Sequence, residues 1–264
     1  MVGQSQAELR MWRFASAQAT GKSHLRSGLP CQDRMACTIL SNGSLIAAIA
    51  DGAGSAAMGE VGAEIAVNSV LSELKRALEK GRSDYVSLIH EVAVQARVAV
   101  LSEAAKRETE PRSLASTLLI LMLVQDGGAA IQIGDGVMVV SDGGNGWSWV
   151  FWPQRGEYAN TTYFLTDDDA IKRIQIEALP GGISDVALMS DGLESLALHY
   201  ASKTVHEPFF NGMFRPLVQS DATGEASHLS ESLQQFLSSD QVGSRTDDDV
   251  SIVLATRRNQ VRPE

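Results

Sequence analysis

The segment Thr117–Ser141, TLLILMLVQDGGAAIQIGDGVMVVS, holds three short apolar runs, Thr117–Val124, Ala129–Ile133 and Val137–Ser141, parted by Asp-Gly turns. Runs of this length, rich in Leu, Ile and Val and bounded by Asp-Gly, read as the strands of a β-meander. Downstream the pattern continues through Trp147–Trp152, Thr162–Thr166, Ile171–Glu177 and Val186–Ser190, and upstream lie Arg13–Ala19, Met35–Leu40 and Leu45–Ala50. Two long helices interrupt the strands. From Met58, the residues Val61, Ile65, Leu71, Leu74 and Leu78 recur at helical spacing, with Glu60, Glu64, Glu73, Lys75 and Lys80 elsewhere. A second helix runs from the N-cap Asp84 to Arg107 with Ile89, Val92, Ala96 and Val100 turned inward. A short helix over Asp191–His199, a last helix over His228–Ser238 and a final strand over Val250–Thr256 complete the chain. Strands, two helices, many strands, then helices and a strand make an α+β domain with helices packed outside antiparallel sheets.

The 264 residues show no internal repeat and no Pro- or Ser-rich linker, so 1–264 reads as a single domain. The net charge of −10, from 32 acidic against 22 basic residues, argues against nucleic acid, whose phosphates need clustered Lys and Arg. An acidic protein that handles phosphate needs a cation to reverse the local field. Cys31 and Cys37 make no disulfide framework or metal-thiolate motif and read as reduced thiols. The N-terminus has no signal-peptide core, and the longest apolar stretch, Leu118–Val124, is too short to span a bilayer. A cytoplasmic protein without membrane partners is the expectation.

Four Asp-containing turns border near-continuous apolar runs: Asp51 in IAAIADGAG, Asp135 in AIQIGDG, Asp191 in VALMSDG and Asp248 in DDDVSIVLA. Singly, each reads as a hairpin turn or helix N-cap. As a set they say more, because strands of one sheet carry distant turns to a common edge, where clustered carboxylates repel unless a cation sits among them. Asp, backbone carbonyl and water suit Mg²⁺ or Mn²⁺, and none of the five histidines has the spacing of a zinc motif.

The ordered series CQD at 31–33, ADGAG at 50–54, STLL at 116–119, IGDG at 133–136, SDG at 190–192 and DDDVSIVL at 247–254 resembles the PP2C-type (PPM) metal-dependent protein phosphatases. It is most similar to the bacterial branch whose first motif carries Ser-His, here Ser23-His24. The resemblance spans about 21–254 and implies a four-layer αββα fold, two packed antiparallel sheets flanked by helices. It also implies a phosphoserine/phosphothreonine phosphatase in which a water bridging two Mn²⁺ or Mg²⁺ ions attacks the phosphoester. Asp51 matches the metal-bridging carboxylate and Gly52 offers its backbone oxygen to the second ion. Asp191 and Asp248 complete the first, with Ser251 three residues after Asp248 as the family pattern requires. Asp33 matches the residue that holds metal-bound water, and Asp135 the ligand of a third, weaker ion. Phosphorylated protein substrates and a cognate Ser/Thr kinase are the implied partners.

Three departures accompany the resemblance. Gly28 stands where many relatives carry a phosphate-holding Arg, with Arg26 or His24 as substitutes; Gln32 replaces a common Glu; and Ala53 replaces the His of eukaryotic members. Water or His24 would then protonate the leaving group. The same departures define the alternative, a PP2C-like regulatory or binding module with weak or no catalysis. Trp147, Trp149, Phe151 and Trp152 read as a half-buried edge strand, and the polar stretch 154–169 as a solvated loop.

Overall fold

The computed structural model describes residues 10–144, 146–156 and 162–259. Strands β1 (Arg10–Ala19), β2 (Arg34–Ile39) and β3 (Leu45–Ala50) flank the short helix α1 (Lys22–Ser27), and the long helices α2 (Gly59–Glu79) and α3 (Tyr85–Lys106) follow. Next come β4 (Leu118–Val124), β5 (Gly127–Ile133), β6 (Val137–Ser141), β7 (Ser148–Phe151), α4 (Ala170–Arg173), β8 (Gln175–Pro180) and β9 (Asp185–Met189). The chain continues through α5 (Glu194–Ala197), β10 (Leu198–His199), β11 (Thr204–Val205), α6 (Glu207–Gln219), β12 (Gly224–Glu225), α7 (Ser227–Leu237), α8 (Asp240–Gly243) and β13 (Val250–Asn259).

One sheet has the order β12-β1-β13-β9-β6-β7 and the other β2-β3-β4-β5-β8, with β10-β11 as a separate pair. Among the described residues all pairings are antiparallel except β1 with β12. The two sheets face each other across Trp12, Phe14, Leu45, Ile49, Leu119, Leu121, Met138, Leu188 and Val253. Alternate residues of the same strands point outward: Ile46, Ile120 and Ile131 pack under α2 and α3, while Ala15, Ile252 and Leu254 pack under α6 and α7. This is the expected four-layer αββα arrangement. Because both faces of the inner strands are covered, they read as unbroken apolar runs.

The meander expected across Thr117–Ser141 is split between sheets. β4 and β5 form a hairpin in one sheet, but β6 joins the other, so the chain changes sheets at Gly134-Asp135-Gly136, with Gly134 at φ +106°. Thr162–Thr166 is not a strand, and Ile171–Glu177 divides into α4 and the start of β8. The short helix read over Asp191–His199 is a 3₁₀ turn, α5 and then β10. α1 and α6 lie where no helix was expected. Part of the stretch 154–169 lies outside the described residues, and Thr162–Phe164 has no regular structure. Trp149, on edge strand β7, is 40% exposed, as a half-buried edge implies. Among the described residues no helix is long and apolar enough to cross a membrane.

Helix α2 is set against the loop that precedes β4 by backbone contact. A Cβ at Gly62 would sit 2.0 Å from the Leu114 carbonyl oxygen, and Leu114 is fully buried. Gly62→Ala is expected to destabilise the protein by about 2–3 kcal/mol through overpacking, measured as a lower urea midpoint at unchanged m-value.

Candidate active site

Strand register brings the acidic turns to one edge of the sandwich. Ala50 pairs with Arg34, Ile49 with Leu119 and Leu118 with Ile133, so Asp33, Asp51, Thr117 and Gly134 gather at one end of the first sheet. Ala19 pairs with Val250, Ile252 with Met189 and Met189 with Val137, so Gly21, Asp248, Asp249, Asp191 and Asp135 gather at the same end of the second. The expected residues Asp33, Asp51, Asp135, Asp191 and Asp248 therefore share one edge, although they are separated by up to 215 positions in sequence.

Their charges act on one another. Burial pushes the Asp51 carboxyl well above the usual range, and Asp33, Asp191 and Asp248 push it further. Burial, then Asp135 and Asp248, raise Asp191 to about 7. Asp51 and Asp191 lie within hydrogen-bonding reach of each other, an arrangement that needs a proton or cation between them. Burial is likewise the main cause for Asp33, raised to about 7 with Asp249 and Asp191 adding repulsion, and for Asp135, raised to about 6. Asp248, on the exposed rim, is also raised, by burial of its carboxylate and by Asp249.

Asp33 is 0% exposed, and although the Ser190 and Ser251 hydroxyls lie beside it, neither of its oxygens completes a hydrogen bond. Asp191 Oδ1, Gln32 Oε1, and the Ser116 and Ser251 hydroxyls are also buried without partners. Unpaired buried carboxylate oxygens are costly, so this edge is built for something positively charged. Among the described residues no group of three or more Asp, Glu, His or Cys side chains is arranged to hold a metal ion as it stands. The residues present nonetheless fit a hard divalent cation by their all-oxygen chemistry and by their orphaned atoms.

The turn at Asp51 is held on both sides. Thr117 Oγ1 accepts from the Asp51 amide at 3.0 Å, and the Thr117 amide donates to the Asp51 carbonyl at 2.8 Å. Gly52 is required here for closeness: a Cβ would lie 2.5 Å from the carbonyl carbon of Gly59, where α2 begins. That contact, beyond freedom to turn a carbonyl, explains why no side chain is tolerated.

Asp249 is the residue that sequence reasoning passed over. At 2% exposure it accepts from the Gly21 amide at 2.7 Å and the Gln32 amide at 2.6 Å, and its Oδ2 lies 2.8 Å from His24 Nδ1. It thereby fastens the first motif to the start of β13, and a Cβ at Gly21 would fall 2.3 Å from the Asp248 carbonyl carbon. His24 is 9% exposed and committed to Asp249 through Nδ1. Arg26 is exposed on α1 and donates to Asp247 Oδ2 at 2.7 Å. Gly28 ends α1 in the left-handed conformation, φ +67°, which an Arg would adopt only with strain. Both cysteines are free, and burial pushes the Cys31 thiol up to about 12.

Comparison with known proteins agrees with this fold. The family model for protein phosphatase 2C matches residues 20–238. Serine/threonine-protein phosphatase 3 of Escherichia coli (strain K12) is 37% identical over 251 residues, covering 92% of this chain and 98% of that protein. Among solved structures, PppA, a key regulatory component of T6SS in Pseudomonas aeruginosa, superposes with a TM-score of 0.64 at 16% identity, covering 95% of this chain and 99% of that one. The serine/threonine phosphatase Stp1 from Staphylococcus aureus superposes with a TM-score of 0.60 at 16% identity, covering 97% and 99%. The motif order and the αββα layers agree with these matches, and the chain is an enzyme of the protein phosphatase 2C family.

Proposed function

We propose that this chain is a metal-dependent phosphoserine/phosphothreonine protein phosphatase, acting as one domain on phosphorylated proteins made by a cognate Ser/Thr kinase. Asp51, Asp191 and Asp248, with the Gly52 carbonyl, would hold two Mn²⁺ or Mg²⁺ ions, and Asp135 an accessory third. The observation that carries this reading is the edge of mutually repelling carboxylates with orphaned oxygens at Asp33 and Asp191. When bound, the ions supply an acidified water and offset charge on the phosphoryl oxygens.

The chain's own residues prepare the site. Thr117 fixes the Asp51 backbone, so its carboxylate is aimed before any ligand arrives. Asp33, buried with both oxygens unpartnered, would accept a proton from water admitted at this edge. Asp249 and His24 hold the first motif against β13, which keeps Asp33 in register with Asp248. The bond at Nδ1 gives His24 a positioning part, and either its other ring nitrogen or water would protonate the leaving group. Arg26 would have to leave Asp247 to meet substrate. The alternative of a PP2C-like module without catalysis is not favoured, since it offers no reason to keep so many unpaired buried carboxylates.

Metal and pH should act on stability together. Asp33 and Asp191 titrate near 7 in the folded protein, against 3.8 as the ordinary value, so the folded state holds protons that the unfolded chain has lost. Between about pH 4 and 7 the unfolded state binds fewer protons, and stability falls as pH rises. Metal-free protein is therefore expected to melt at progressively lower temperature across that window, and saturating Mn²⁺ should remove the decline. Calorimetric titration with Mn²⁺ at pH 7 checks the same site and should show two binding events with proton release. No binding, with a flat pH profile, would count against the proposed metal site.

A further inference from the structure

The site described so far gathers carboxylates but shows no evident grip for a phosphate dianion. Gly28 cannot provide one, and most cations nearby are engaged elsewhere. Arg26 pairs with Asp247, Lys22 lies 3.8 Å from Asp240, and Arg34 donates to the Cys31 and Asp33 carbonyls at 2.7 Å each. Arg155 differs. It follows β7 in the loop that reaches the acidic edge, and its Nη2 donates to Glu194 Oε1 at 2.9 Å. Glu194 opens α5 only three residues after Asp191.

We propose that Arg155 receives the phosphate of the substrate, exchanging its bond to Glu194 for the phosphoryl oxygens; this rests on the phosphatase reading above.

Three observations support the exchange. The guanidinium lies 4.7 Å from the centroid of the Tyr200 ring, and Tyr200 meets the edge of Trp152 at 5.2 Å, which meets Trp149 at 5.8 Å. This aromatic shelf holds the planar fork from one side and leaves its donors free to face an anion, so little side-chain freedom is lost on binding. The Arg155 side chain is 50% exposed while Glu194 is 13% exposed, so a ligand can reach the arginine from the solvent side. Burial raises the Glu194 carboxyl, so it takes up a proton more readily once the cation leaves, whereas a phosphate brings greater charge and bidentate geometry.

The test compares wild type, Arg155→Ala and Arg155→Lys as full-length protein with saturating Mn²⁺. Each is assayed on a phosphoserine peptide and on a small aryl phosphate, and inorganic phosphate binding is measured directly by calorimetry. Arg155→Ala should raise KM for both substrates and the dissociation constant of inorganic phosphate by about 10–100-fold, with Lys intermediate. Arg155→Ala should lower Tm slightly by freeing Glu194 while Arg155→Lys should not, and direct phosphate binding separates the anion role from that structural effect. Phosphate binding and both KM values within about twofold of wild type would overturn the proposal. So would a loss confined to the peptide, because Arg155 would then contact flanking residues. An inactive wild type would instead refute the phosphatase reading, while phosphate binding would still decide the role of Arg155.

Discussion

Asp51→Asn is expected to lower phosphate release from a phosphoserine peptide by roughly 10³-fold or more at saturating Mn²⁺, since several kcal/mol of charge stabilisation depend on its carboxylate. The same substitution should raise the melting temperature of the metal-free protein. Asp51 is buried against Asp33, Asp191 and Asp248, all of which oppose its ionisation. Removing one negative charge from that group relieves repulsion, while the near-isosteric amide leaves the Thr117 bonds to the Asp51 backbone untouched. Opposite signs for activity and stability distinguish a ligand from a structural residue. Loss of both together would mean that Asp51 serves the fold and not the chemistry. The pair of readouts is peptide turnover and thermal melting in chelator.

The second large effect falls on a neighbour with the reverse character. Asp249→Ala should destabilise the protein by about 3–5 kcal/mol, the usual result of removing one partner from a buried charged network. For a chain of this size that lowers Tm by about 10 °C. The carboxylate takes two backbone amides and His24, so its loss leaves the Gly21 and Gln32 amides buried and unpaired. Melting temperature should fall with and without Mn²⁺, in contrast to Asp51→Asn. Activity should fall as well, because Gly21 and Gln32 tie the first motif to β13. An unchanged Tm would show that the first motif is held by other contacts.

Much of this site was legible because its turns interrupt strands of plain composition. Leu45–Ala50 runs without a polar residue into Asp51-Gly52, and Val186–Met189 into Ser190-Asp191, so each acidic turn is flagged by the run before it. The order of the motifs then gave the family and the αββα layers. The change of sheets at Asp135 was not legible. A Gly-Asp-Gly between apolar runs reads the same whether it closes a hairpin or crosses the sandwich, and β5 and β6, covered on both faces, lack the alternation that would reveal register. Helix α6 escaped because Pro208, Gly212 and Pro216 break its helical signal, although Phe210, Phe214 and Leu217 form its buried face.

Other parts depend on contacts that no local pattern carries. Asp247, Asp248 and Asp249 are alike in sequence. Only the pairing of β1 with β13 brings Gly21 and His24 to Asp249, leaves Asp248 at the rim and turns Asp247 toward Arg26. Arg155 and Glu194 are 39 positions apart, with no motif at either, and they meet because β6 and β9 are neighbours. The absent arginine at Gly28 also takes a different meaning in three dimensions. The position caps α1 with a left-handed backbone, so glycine there serves the helix end.

The central claim is that this edge of aspartates hydrolyses phosphoserine esters with the help of divalent metal. Its most direct test is phosphate release from a phosphoserine peptide by the wild-type chain, measured with Mn²⁺ and again after chelation. Steady turnover with Mn²⁺, abolished by chelator and restored by added Mn²⁺ or Mg²⁺, is the predicted result. No turnover at saturating Mn²⁺, or turnover that persists in excess chelator, would contradict it.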